Sequence, residues 1–201
     1  MQAVRLSRSQ RRAGARTLVQ AFWNYSETVH LLPSESARRR ALPRYLSGDC
    51  ADSQAYDALL GVVVDGQVVG AAAWLPPEAY PVPARRQVAQ VRYLLPAVPW
   101  ALGTAREARR GQLVNRARHP REPHFYLRSV GVLPSWQGRG VGGAMLLPMI
   151  EEADKRALGC YLTTAEFQNV AFYERFNFRV LASYYPTPTW PKVWSMWRDP
   201  R

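Results

Sequence analysis

Lysine is almost missing from this chain. Of its 27 basic side chains only Lys155 and Lys192 are lysines; arginine carries the rest, against 15 acids, for a net charge of +12. A nucleotide-triphosphate loop needs a lysine directly after its glycines, in the pattern G-x-x-x-x-G-K-[ST]. No lysine follows the glycine-rich stretch at 138–143, so that class is excluded. Cysteine is equally scarce. Cys50 and Cys160 form neither a metal-ligand spacing nor a disulfide framework, so no metal is expected. As two plain small hydrophobes they suit a reducing cytoplasm, the expected location. Long apolar runs are absent too. None approaches the roughly 18 residues a membrane span requires, and the longest candidate, 58–76, is broken by Asp65-Gly66. Residues 1–12 are basic, but Arg5 and Arg8 interrupt any apolar core, which argues against a signal peptide and a membrane partner.

What is present is an ordinary globular composition, 47% hydrophobic and 21% charged over 201 residues, enough for a substantial core. No repeat, linker or low-complexity segment divides it, so a single domain over 1–201 is expected. The arginines are spread along the chain rather than gathered in one block, which argues for a solvated basic surface over a nucleic-acid interface.

Alternation at 3–7 predicts an opening strand. Leu18, Phe22, Tyr25 and Val29 are spaced as one helix face within 14–30, and Pro33 stops that helix. Ser34 can cap a second helix that contains Pro43. Asp65-Gly66 between two β-branched runs predicts a tight hairpin over 59–75. Residues 83–117 read as helical, interrupted by Pro96 and Pro99. From 124 onward the order is strand (124–132), helix (139–158), strand (160–164), short helix capped by Asn169 (169–176) and two closing strands (178–184, 192–197).

The stretch from Ser129 to Gly143 is the most informative: Val130-Gly131-Val132 end a strand, a loop with Pro134 follows, and Gln137-Gly138-Arg139-Gly140-Val141-Gly142-Gly143 open a helix. Bare N–H groups at a helix N-terminus, backed by the helix dipole, make an anion site. The dinucleotide pattern G-x-G-x-x-G fits Gly138, Gly140 and Gly143, and Glu166 lies at a suitable distance. Two observations oppose it. Five residues separate the strand from the first glycine, and the 58 residues after Gly143 are too few for the remaining strands.

The form Q/R-x-x-G-x-G/A at 137–142 resembles motif A of the GNAT N-acetyltransferases. Asn169-Val170-Ala171-Phe172-Tyr173-Glu174-Arg175-Phe176-Asn177-Phe178 is similar to that family's motif B, N-x-x-x-F-Y-E-R-x-G-F. The Leu-Leu-Pro of the long helix and the closing Pro-Lys-Val-Trp-Ser-Met-Trp-Arg are most similar to the puromycin N-acetyltransferase branch. The resemblance implies an α/β (α+β) fold with a mixed, mostly antiparallel sheet of six or seven strands, flanked by helices and splayed between the strands at 124–132 and 160–164. It implies a cytoplasmic acetyl-CoA-dependent enzyme, monomer or homodimer, acting on a primary amine of a small molecule. The alternative is a catalytically weak module of the same fold that binds CoA or an acidic partner.

By the same resemblance Val130, Gly131, Val132, Gln137, Gly138, Arg139, Gly140, Val141, Gly142, Gly143, Asn169 and Phe172 would bind the cofactor. Gly131 would permit its close approach, and Arg139 could meet a phosphate or point to solvent. Tyr173 would act as general acid on the leaving thiolate. Tyr25, Trp74 and Thr163 fall where the family places its acceptor. The general base stays open between His124, Glu78, Glu166 and a water chain. Two departures stand out. Puromycin-type relatives carry Leu-Glu-Thr-Ser where this chain has Leu162-Thr163-Thr164-Ala165, so a carboxylate facing the acceptor is missing. Asn177 replaces the motif B glycine, and asparagine tolerates the left-handed backbone of a helix stop.

Overall fold

The computed structural model describes residues 1–80 and 104–201. The chain order is β1 (Val4–Arg5), α1 (Arg11–Phe22), α2 (Ser26–Leu31), α3 (Glu35–Gln54), β2 (Leu59–Val64), β3 (Gln67–Leu75), α4 (Ala105–Ala117), β4 (His124–Val132), α5 (Val141–Lys155), β5 (Gly159–Thr164), α6 (Phe167–Glu174), β6 (Arg179–Tyr184) and β7 (Val193–Arg198). The helix expected over 83–117 lies partly outside the described residues; its described part is α4.

The strands form one sheet in the order β1-β2-β3-β4-β5-β7-β6. Every pairing is antiparallel except β4 with β5. The expected hairpin is present, with Asp65 and Gly66 both at positive φ (48° and 78°), as a two-residue turn of the primed type requires. Two layers cover the sheet. On one side α5 packs Met145, Leu146, Met149 and Ile150 over Leu60, Val62, Trp74, Phe125 and Leu162. On the other, α1 and α3 pack Leu18, Leu42 and Leu46 over Leu59, Val68 and Ala71.

Three expectations are corrected. The single helix over 14–30 is two, broken at Trp23-Asn24-Tyr25, with Tyr25 extended (φ −63°, ψ 135°) at the start of α2. Asn169 does not cap α6: that helix begins at Phe167, and the Asn169 amide donates to the Thr164 hydroxyl at 3.3 Å. The opening strand is shorter than expected, and both its residues are exposed.

Candidate active site

The parallel pairing of β4 with β5 runs from His124↔Gly159 to Leu127↔Leu162 and stops there. On its other edge β4 stays paired with β3 as far as Val132. The two strands therefore part beyond Leu127, leaving 128–132 facing a gap. The register of β3 on β4 shifts between Ala73 and Trp74, so that Arg128 is an extra residue in β4. Its guanidinium ion-pairs with Asp49 and, at 3.2 Å, with Asp52 of α3. Burial, only partly offset by Arg128, pushes the Asp49 carboxyl up to about 6.

At the head of α5 Gly138 and Gly140 take left-handed conformations (φ 73° and 79°), with nothing within 4 Å of where a Cβ would stand. The first helical turn closes with the Ala144 N–H donating to the Gly140 carbonyl. The N–H groups of Val141, Gly142 and Gly143 precede that bond and have no intrahelical acceptor. The turn is braced by Gln137, whose Nε2 donates to the Val132 carbonyl at 3.2 Å.

A cavity of about 1590 Å³ joins these features. Val130, Gly131, Val132, Gln137, Gly138, Gly140, Val141, Gly142, Gly143, Asn169, Phe172, Tyr173, Tyr25, Thr163 and Glu166 all line it. Arg139 does not; its guanidinium lies over the Trp136 ring, 5.0 Å from the centroid. Gly131 lines the cavity with its backbone, but the space of its absent side chain belongs to α1: a Cβ there would stand 2.5 Å from that of Ala21. Tyr173 is buried against Phe172 and Phe178, and burial lifts its phenol well above the ordinary tyrosine value. It therefore holds its proton at neutral pH.

Trp74 lies elsewhere, fully buried in the core under α5. Of the three base candidates only Glu166 lines the cavity, with one carboxylate oxygen engaged. Glu78 is exposed and paired with Arg156, which holds its carboxyl below the usual range. Glu166 caps α2, accepting at Oε1 from the Ser26 N–H (2.9 Å) and hydroxyl (2.6 Å). His124 is buried behind the cavity wall. Its Nδ1 lies 2.6 Å from the Glu122 carbonyl and so carries the proton; its Nε2 then accepts from His119 Nε2 at 2.9 Å. Burial and this neighbour push His119 down to about 3, and burial also lowers His124, so the pair is neutral.

The structure adds a residue that sequence reasoning missed. Glu27 of α2 lines the same cavity, its Oε1 accepting from the Trp190 indole at 2.9 Å. Burial raises its carboxyl above the usual value, opposed by that indole and by His30, and reinforced by Glu166. Tyr25 stands beside it, accepting from the Ala165 N–H at 2.6 Å and lying 3.3 Å from the Thr164 hydroxyl.

The family described as Acetyltransferase (GNAT) family matches residues 17–178. Among solved structures, a histone acetyltransferase HPA2 and related acetyltransferase from Corynebacterium glutamicum is similar over 100% of this chain and 96% of its own, at 21% identity and a TM-score of 0.71. An N-acetyltransferase from Staphylococcus aureus Mu50 is similar over 98% of this chain and 100% of its own (13% identity, TM-score 0.63). So is a paia N-acetyltransferase from Thermoplasma acidophilum in complex with coenzyme A, over 98% of each chain (12% identity, TM-score 0.56).

Proposed function

Because the chain belongs to the acetyltransferase (GNAT) family, we propose that it transfers acetyl from acetyl-CoA directly to a primary amine of a small molecule. One observation carries this reading: a left-handed glycine turn, the unpaired edge of β4 and a protonated, buried tyrosine all open on one cavity. The fit to acetyl-CoA rests on that arrangement. The Val141, Gly142 and Gly143 N–H groups suit a pyrophosphate. The 128–132 edge offers backbone donors and acceptors to a pantetheine arm, and the Ser129 hydroxyl is buried there with no partner among the described residues. Asn169 and Phe172 would complete that half. When bound, the cofactor supplies a thioester carbonyl to the amine and a thiolate as leaving group.

The protein's own contribution is positioning and proton control. The cavity holds the amine near the open β4 edge. The β4 N–H groups can stabilise charge on a carbonyl oxygen. Tyr173 keeps a proton at Oη for the departing sulfur. The similarity of the closing segment to the puromycin branch supports a small acceptor. Calorimetric titration with acetyl-CoA, followed by thiol release with a panel of primary amines, tests the reading. Tyr173→Phe is expected to lower kcat about 10²-fold while leaving the acetyl-CoA Kd unchanged. Absence of cofactor binding overturns the proposal. Binding without turnover on any amine supports a binding module instead, and unchanged turnover in Tyr173→Phe removes the acid role.

A further inference from the structure

We propose that Glu27 receives the acceptor's ammonium group and takes the proton that frees its nitrogen, and that the acceptor is a small cation on an aromatic or apolar body. This rests on the transferase reading for its chemistry but on separate observations for its site. Glu27 projects from α2 into the cavity with one oxygen held by Trp190, and among the described residues no arginine or lysine is ion-paired with it. Glu27 is half-buried; a carboxylate withdrawn from water without a paired cation is unfavourable, and an ammonium entering the cavity supplies that charge.

The surroundings point the same way. Tyr25 immediately precedes α2 and His30 stands on it, engaged at 3.1 Å by Glu107 of α4. Glu166 stands before α6, and Tyr173 on α6 acts electrostatically on Tyr25. The β6–β7 loop contributes Trp190, seated on α4 where Gly111 has no side chain, and Thr187, which donates to Glu107. Of these carboxylates Glu27 and Glu166 line the cavity, as do Arg116, Arg175 and Arg128, the last of them paired with Asp49 and Asp52. The cavity wall adds Tyr80, Tyr126 and Tyr161, aromatic faces suited to a flat apolar body or to a cation.

The step balances simply. An N–H bond of the ammonium breaks and its electron pair stays on nitrogen. An O–H bond forms on Glu27, and the positive and negative charges disappear together. The carboxylic acid returns its proton to water between turnovers.

Tyramine and its neutral isostere tyrosol are the probes, titrated calorimetrically against the whole protein with CoA present, between pH 5 and 8. Tyramine should bind at least about tenfold more tightly than tyrosol at pH 7.5, and its affinity should fall as the pH drops and Glu27 is protonated. Glu27→Gln keeps an oxygen for Trp190. It should weaken tyramine by about tenfold or more and reduce the pH dependence to what Asp49, which lines the same cavity and titrates at about 6, leaves behind, leaving tyrosol unchanged; Glu27→Asp should recover part of the loss. Equal binding of the two probes, no tyramine binding at millimolar concentration, or wild-type behaviour in Glu27→Gln overturns the proposal. If Glu27→Gln does not fold, the wild-type comparison of the two probes decides alone. Loss of acetyl-CoA binding with tyramine discrimination intact sinks the transferase and leaves the amine site. The opposite result sinks the amine site and leaves the transferase.

Discussion

Gly138 and Gly131 border the same cavity and are glycine for different reasons. At Gly138 the backbone is left-handed and the space beyond is open. Alanine there costs conformational energy alone, about 1–2 kcal/mol, and the strain is relieved by moving the very N–H groups assigned to the anion. Gly131→Ala instead drives a methyl into Ala21 and Leu18 of α1, an overpacking cost of about 1–3 kcal/mol. The expected outcomes separate cleanly. Gly138→Ala should weaken acetyl-CoA binding several-fold with a small change in melting temperature. Gly131→Ala should lower the melting temperature by several degrees, as about 2–4 °C per kcal/mol applies to a chain of this size. Similar effects in both assays for the two variants would refute the distinction. Glu27 belongs at this scale too, and nothing in its neighbourhood along the chain singled it out. Its meaning depends on Trp190 and Glu166, far away in sequence, so no motif could contain it.

At the scale of elements, the second half of the chain was legible because its signals are local. The strand, glycine turn and helix of 124–155 lie in one continuous stretch, and Asn177 does adopt the left-handed backbone (φ 65°) that ends α6. The first half was legible in kind but not in detail. Period four-three-four ran through Trp23-Asn24-Tyr25 as if one helix continued, yet the chain breaks there because Glu166 offers a carboxylate to the Ser26 N–H and starts α2 afresh. Trp74 falls to the acceptor by family resemblance alone, which does not say which helical layer covers a strand residue; in the fold it lies in the core on the α5 side. The Glu166 contact carries a prediction. Glu166→Ala removes a cap from outside the helix, worth about 1 kcal/mol, and loosens the helix that presents Glu27. The amine KM should rise several-fold with the acetyl-CoA Kd unchanged, and Glu166→Gln, which keeps an acceptor oxygen, should lose less. An amine KM unaffected by Glu166→Ala would show that α2 is held by other contacts.

For the whole molecule, buried titratable groups pull stability in opposite directions with pH, and their magnitudes decide the outcome. Asp49, raised to about 6 from its ordinary 3.8, binds protons more tightly when folded, so its contribution grows as the pH falls below about 6. His119, lowered to about 3 from 6.5, and His124, lowered as well, do the reverse. Below about 6.5 the unfolded chain takes up protons that the folded pair refuses. Each unmatched proton is worth about 1.4 kcal/mol per pH unit. At pH 5 His119 has acted over about 1.5 units and Asp49 over about one, so His119 outweighs Asp49 by roughly 1 kcal/mol; His124, lowered too, acts with His119, and Glu27, raised by burial, acts against it. Glu78, Glu107 and Asp154 are held below the usual carboxylate range by Arg156, by Thr189 and Thr187, and by Arg198. Their stabilisation is lost only at lower pH, so they do not enter this window. The melting temperature should therefore fall by roughly 2–4 °C between pH 7.5 and 5. His119→Phe, which keeps a ring stacked on Tyr80, should flatten the slope, and Asp49→Asn should steepen it below pH 6. A melting temperature that holds constant or rises on acidification would place the histidine pair in contact with solvent, contrary to the burial that keeps it neutral here.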